Sequence, residues 1–526
     1  MTTTMRKTMT TTIFNCTVHD GTGALPFTAD IGLDGDRIVD IGDLRRAEAD
    51  STIDAAGAIV CPGFIDVHTH SDAYILLEPA APSKLYQGVT TEIAGNCGAS
   101  CAPLYGDARM PSDWTVHTYP GPWRTVAEYR ALVEQIVPGP NMALLVGHNT
   151  LRAGVTGYAD RPASAEEIRL MVCRLEQALD EGACGLSTGL VYTPGRYAET
   201  GEITVLAAAT AARGGIYTSH MRSETSRLIE ALDETLDIGR HTGIRVQVSH
   251  LKAAGRKNWP LLETAIERIR SAQAEGLDVA ADRYPYTSSC TDLDIIFPGW
   301  ASAGGLQAVL ARLRDHAERS RLREELIRDH DDAYWETITV GSTAHRGNLQ
   351  YQGQPLTAVA ATMKVHPADA ALTLADTDEL RTAAFFHGMS EDGMLRVLEQ
   401  PWVMIGSDAS LRATTGPLSH DWPHPRAYGS FPRFLRMALD GKTVPLPEAI
   451  RKMTSLPART FRLADRGEIR KGFAADLLVI DPLTLCERTS YARPHVLAEG
   501  IRHVFVNGVH TLRDGTITGH RGGRFL

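Results

Sequence analysis

The sequence predicts an α/β fold: a TIM-like (β/α)8 barrel, a small β-sandwich domain built from both termini, and an insertion, read as a lid, between strands 7 and 8. Three observations predict it. From Ile59 onward, short apolar runs alternate with helical stretches in the order of parallel βα units. Both ends of the chain instead show short strands punctuated by turn residues. The span 63–410 exceeds the roughly 250 residues of a plain eight-stranded barrel, and the surplus is largest between the last two runs.

In chain order, residues 1–10 form a Thr-rich start read as a disordered tail, and 11–62 supply the first part of the sandwich. There, TADIGLDGDRIVDIG (28–42) sets Asp34-Gly35 between two apolar runs, a hairpin signal. The eight barrel runs fall at 59–70, 89–96, 142–148, 184–190, 215–220, 244–250, 277–286 and 402–408. Between them, Ile168, Met171, Val172, Leu175 and Leu179 recur at helical spacing, and Ser164 with Glu167 fits a capping box. Similar stretches run through 225–239 and 258–274. The barrel is expected over 63–415, with the insertion at about 290–350 around an Arg/Glu-rich helical stretch. A helical extension at 416–465 follows, and 466–526, with DLLVIDP and HVFVNGVHTL, completes the sandwich.

Hydrophobic residues make up 43% of the chain and charged residues 22%, with 47 Gly and 27 Pro, which excludes collagen, coiled coil and wholesale disorder. The net charge of −10 offers no basic footprint for nucleic acid or an anionic membrane. No run approaches the roughly 18 apolar residues of a spanning helix, and the N-terminus lacks the apolar stretch of a secretory signal. Eight cysteines are scattered without the density of a disulfide scaffold. A cytoplasmic protein acting on a small molecule is expected, with neither nucleic acid nor membrane as partner; oligomeric state is not legible.

The chemistry gathers at the ends of the runs. His68 and His70 are i and i+2 on one strand and share a face. Cys97 follows the second run, His220 ends the fifth, His250 the sixth and Asp408 the eighth. Barrel active sites are built at these C-terminal strand ends. Imidazole, thiolate and carboxylate together suit a catalytic Zn²⁺ with a position open to water. Cys101 is read as structural, and His148 and Arg222, also at strand ends, as supporting positions.

This constellation resembles the N-acyl-D-amino-acid deacylases (D-aminoacylases) of the amidohydrolase superfamily. The carriers are PGFIDVHTHSD (62–72), GNCG (95–98), GHNTLR (147–152), GLSTGLVYTPG (185–195), SHMRSE (219–224), SHLKAAG (249–255), DRYPYTSSCT (282–291), MIGSDAS (404–410), HPRAYGSFPRFL (424–435) and KGFAADLLVIDP (471–482). The resemblance implies a tight zinc on Cys97, His220 and His250, and a weaker second site formed by His68 and His70 beside Cys97. It implies hydrolysis of a linear N-acyl-D-amino acid by metal-activated water, with Asp408 as general base and then general acid. It assigns the substrate carboxylate to Lys252, Tyr192 and Tyr284. Cys290 stands where the family has a serine, so a weaker donor is expected there. HPRAYGSFPRFL is expected to close the barrel edge rather than to enter the chemistry. The alternative is a cyclic-amide, hydantoin-like hydrolase of the same superfamily. Those enzymes use a carboxylated lysine on the fourth strand, and CGLSTGL has none.

Overall fold

The computed structural model describes residues 9–111 and 113–526. All eight apolar runs become strands of one parallel sheet: Phe64–Asp66, Val89–Ala94, Asn141–Gly147, Gly185–Gly189, Ile216–His220, Arg245–Val248, Val279–Arg283 and Val403–Ile405. Each neighbours the next in sequence. The first and eighth close the circle through a parallel bridge between Thr69 and Ala409, and the Asp408 amide donates to the His68 carbonyl at 2.8 Å. Closure therefore sets the ends of the first and eighth strands side by side.

Period-2 alternation sorts the barrel side chains. On the third strand Ala143 and Leu145 join Ile65, Val67, Ile93 and Met404 inside, while Leu144 and Val146 pack outward against the helical layer. One such helix, Ala165–Asp180, starts at Ser164 with the expected capping box to Glu167 and buries Met171, Leu175 and Ala178. A lysine is also sealed within the barrel. Lys84, fully buried, reaches Asp66 Oδ2 at 2.9 Å, Ser407 Oγ at 3.1 Å and Glu92 Oε2 at 3.3 Å, tying the first two strands to the residue before Asp408.

Between the seventh and eighth strands lies a unit with its own core, running from Leu293 through Trp335 to Ala384. It extends past the expected end near 350 because Ala383–Phe386 is the central strand of a small antiparallel sheet, flanked by Ser289–Asp292 and Ile338–Val340. Strands from both ends of the chain pair in a single nine-stranded sheet, in which Ile59–Pro62 lies between Met9–Val18 and Leu477–Ile480. Leu477 and Val479 face one cluster of this sheet, and Leu478 and Ile480 face the other, against Phe431 and Phe434.

Two expectations at the N-terminus shift. Residues 1–8 of the expected tail lie outside the described residues, but Met9 and Thr10 belong to a strand whose parallel pairing with Ala49–Asp54 satisfies its backbone. The hairpin turn is Gly35-Asp36, one residue later than expected, with Gly35 in the left-handed region at φ 56°. No helix among the described residues is long and apolar enough to cross a membrane.

Candidate metal and active site

Each predicted ligand sits at or just past the end of its strand, and three of them hold unusual backbone. Cys97, His250 and Asp408 have φ of 53°, 36° and 50°, a region that costs a non-glycine residue about 1–3 kcal/mol. The GNCG turn makes this possible for Cys97. A Cβ on Gly98 would lie 2.3 Å from Asn149 Oδ1 and 2.6 Å from the Gly189 amide, so only glycine lets the turn pack against the fourth strand.

The side chains converge. His68 Nε2 lies 3.2 Å from Cys97 Sγ and 3.3 Å from Asp408 Oδ1. His250 Nε2 lies 3.6 Å from Cys97 Sγ and 3.0 Å from His220 Nδ1, and His70 Nε2 is 3.2 Å from Asp408 Oδ1. One ligand atom from each of His68, Cys97, His250 and Asp408 fits within 4.8 Å of the others, and His220, Glu224 and His250 form a second such group.

The electrostatics are those of a cation site. Burial alone would raise the Cys97 thiol, but His68, His220 and His250 reverse this and hold it well below its ordinary value, as thiolate. Burial would also raise Asp408, and Arg426, His68, His250 and His70 bring it well below the usual carboxylate range. Against the burial that would lower it, the hydrogen bonds to Asp408 and Cys97 push His70 up to about 9. Protons thus occupy imidazoles that face a thiolate and a carboxylate, where a cation would replace them.

The predicted substrate residues surround this group. Lys252 Nζ lies 2.9 Å from His250 Nδ1 and pairs with Glu224 Oε1 at 2.5 Å. The Tyr192 ring stands edge-on to His220 at 4.9 Å, and its hydroxyl meets Thr291 Oγ1 of the inserted unit at 3.1 Å. Tyr284 is fully buried, its hydroxyl without a hydrogen-bond partner. Cys290 lies on the edge strand Ser289–Asp292, and burial pushes its thiol up to about 11, leaving it neutral. His148 bonds Glu202 at 2.8 Å and Arg222 bonds Glu234 at 2.9 Å, so neither joins the metal group. Cys101 is buried, its amide held by Asp72 at 2.7 Å.

Three residues escaped the sequence reading. Asp282 sits behind His68, with both carboxylate oxygens 3.2 Å from Nδ1, and also accepts the His250 amide at 3.0 Å. Glu224 lies 2.8 Å from His250 Nδ1. Arg426 corrects the expectation for HPRAYGSFPRFL: its Nη1 donates to Asp408 Oδ2 at 2.7 Å, its Nη2 to the Cys290 carbonyl at 3.2 Å, and its guanidinium lies over the Tyr284 ring at 4.7 Å. The loop after the eighth strand folds back over the mouth. All three stood inside quoted motifs, but no spacing rule marked them.

Comparison with known proteins agrees with this arrangement. The profile of the amidohydrolase family matches residues 51–512. The chain is 36% identical over 517 residues to a D-aminoacylase of Alcaligenes xylosoxydans xylosoxydans, covering 97% of this chain and 96% of that protein. It is 36% identical over 522 residues to an N-acyl-D-glutamate deacylase of the same organism, covering 97% and 94%. The crystal structure of N-acyl-D-glutamate deacylase from Bordetella bronchiseptica, complexed with zinc and a phosphonate mimic of the tetrahedral intermediate, matches at a TM-score of 0.85 and 32% identity. That match covers 99% of this chain and 100% of that one. The barrel, the strand-end donors and these likenesses lead to one assignment: the protein belongs to the amidohydrolase family, within its D-aminoacylase group.

Proposed function

We propose that the protein hydrolyses N-acyl-D-amino acids to a carboxylate and a free D-amino acid, with zinc as its resident metal. The observation that carries this reading is the convergence of His68, Cys97 and His250 on Asp408, with His70 Nε2 3.2 Å from that carboxylate, which is kept ionised at the mouth of the barrel. The donor set fits zinc: thiolate and imidazoles are its preferred ligands, and His68 has a carboxylate behind it, as metal-binding histidines do. Cys97, His220 and His250 would hold one ion tightly, and His68 and His70 beside Cys97 a second more weakly.

When bound, the metal supplies Lewis-acid polarisation and a water acidic enough to lose a proton near neutrality. Asp408 would take a proton from the attacking water as its oxygen bonds to the acyl carbon, and return it to the amide nitrogen as the C–N bond breaks to leave a carboxylate and a free amine, because an unprotonated amine is a poor leaving group. Arg426 keeps Asp408 ionised and aimed at the reacting atoms. Lys252, Tyr192 and Tyr284 hold the substrate carboxylate. The unpartnered Tyr284 hydroxyl supports this, since a buried donor without an acceptor gains most from one the substrate brings. The Cys290 thiol is the weakest of these donors. All eight cysteines are free thiols, which suits reducing surroundings, and we place the reaction in the cytoplasm.

The test is turnover of paired N-acetyl-D- and N-acetyl-L-amino acids by zinc-replete protein, followed as release of free amine. D-selective release is expected; no D-selective turnover overturns the reading.

A further inference from the structure

A small cavity lies beside the sixth and seventh strand ends, under the helix Glu391–Leu398. Its volume is about 10 Å³, and Arg283, Lys252, Trp259, Met389, Ser390 and Gly393 are among its walls; no lining residue is acidic. Arg283 is 1% exposed. Its Nη2 donates to the Tyr286 carbonyl at 2.8 Å and lies 3.1 Å from Met389 Sδ, while its Nε and Nη1 are buried without a hydrogen-bond partner.

Its neighbours are differently placed. Among the described residues, Lys252 has Glu224 at 2.5 Å, Arg426 has Asp408 at 2.7 Å and Lys84 has Asp66 at 2.9 Å, whereas no carboxylate forms an ion pair with Arg283. Glu224 is committed to Lys252 and His250. A guanidinium does not shed its proton to escape burial, and an uncompensated buried charge costs several kcal/mol. The helix above adds to the imbalance. Ser390 caps its N-terminus, the positive end of the helix dipole, and its acidic residues Glu391 and Asp392 are exposed rather than turned into the cavity.

We propose that this cavity binds one small monovalent inorganic anion, chloride under ordinary conditions, between the Arg283 guanidinium and the N-terminus of the helix Glu391–Leu398. Charge selects an anion, and a space of about 10 Å³ favours a monatomic one over phosphate, sulfate or a substrate carboxylate with its chain. A water fills the space and accepts a hydrogen bond but brings no charge. Burial lowers the Arg283 guanidinium pKa, and Tyr284, whose ring centre lies 4.3 Å from the guanidinium carbon, offsets this only in part without supplying a carboxylate counter-ion.

The experiment uses the full chain, zinc-loaded. Crystals grown in sodium bromide and measured at the bromine edge are expected to show an anomalous peak against Nη1 of Arg283. In solution, the thermal midpoint is expected to rise saturably by a few degrees in sodium chloride over sodium gluconate at equal ionic strength, and Arg283→Met to abolish that difference. Water density without anomalous signal overturns the proposal. So does a peak with no chloride-specific, saturable shift in solution, which marks an adventitious ion only. If Arg283→Met does not fold, the bromide peak and the chloride–gluconate comparison on the unaltered protein decide the matter.

Discussion

At the C-terminal end of the eighth barrel strand, Asp408 faces Arg426, His68 and His70 within 3.3 Å, and its charge is held in place by theirs. At the other end, Lys452 is equally buried but reaches only main-chain oxygens, the carbonyls of Gln400 and Val403. Burial drives Lys452 down to about 7, while the surrounding cations drive Asp408 well below the usual carboxylate range. One strand thus has a buried charge stabilised just past its mouth end and, at its floor, a buried lysine from the helix Leu446–Met453 whose charge is suppressed. In barrels generally, the mouth carries chemistry and the floor carries stability.

Removing Asp408 strains that contrast most. Asp408→Ala is expected to lower kcat by about 10²–10⁴-fold, the usual range for a lost general acid–base group. Zinc content should stay near the parent's, because Cys97, His220 and His250 remain. Metal analysis beside steady-state kinetics checks both. Joint loss of metal and turnover would make Asp408 a ligand first, and normal turnover would remove it from the mechanism.

A smaller effect is expected one layer back. Asp282→Asn keeps the shape behind His68 but removes the charge that fixes its tautomer, so metal binding should weaken by about 10–100-fold. Competition against a chelator measures this. Unchanged affinity would reduce Asp282 to a brace between the His250 amide and Gln247, which it also contacts.

The two layers also differ in how legible they are. His68, His70, Cys97, His220, His250 and Asp408 were readable because apolar runs located the strands and each residue stands at the end of one. Asp282 looks like any polar residue within a strand until closure of the barrel sets it behind His68. Arg426 lies 18 residues beyond Asp408, and only the fold-back of that loop reveals their contact. In the insertion, the central strand Ala383–Phe386 is four residues long and pairs with partners more than 40 residues upstream, so no local period announces it.

A third effect is expected at the floor, on stability rather than on turnover or metal binding, and is read as a dependence on pH. In the folded protein Lys452 titrates at about 7, against about 10.4 for a free lysine. Between those values the unfolded chain binds a proton that the native state does not, so this group makes stability rise with pH, by up to about 1.4 kcal/mol per unit. Below about pH 7 both states are protonated, and the penalty is fully present and constant. Lys452→Met removes the titration while losing the bonds to Gln400 and Val403. Relative to the parent, the variant should therefore fare best at pH 6 and worst at pH 9.5, as read from urea midpoints across that range. Parallel pH profiles for the two proteins would mean that Lys452 stays charged in the folded state, and the contrast between the two ends of the strand would then rest on counter-ions alone.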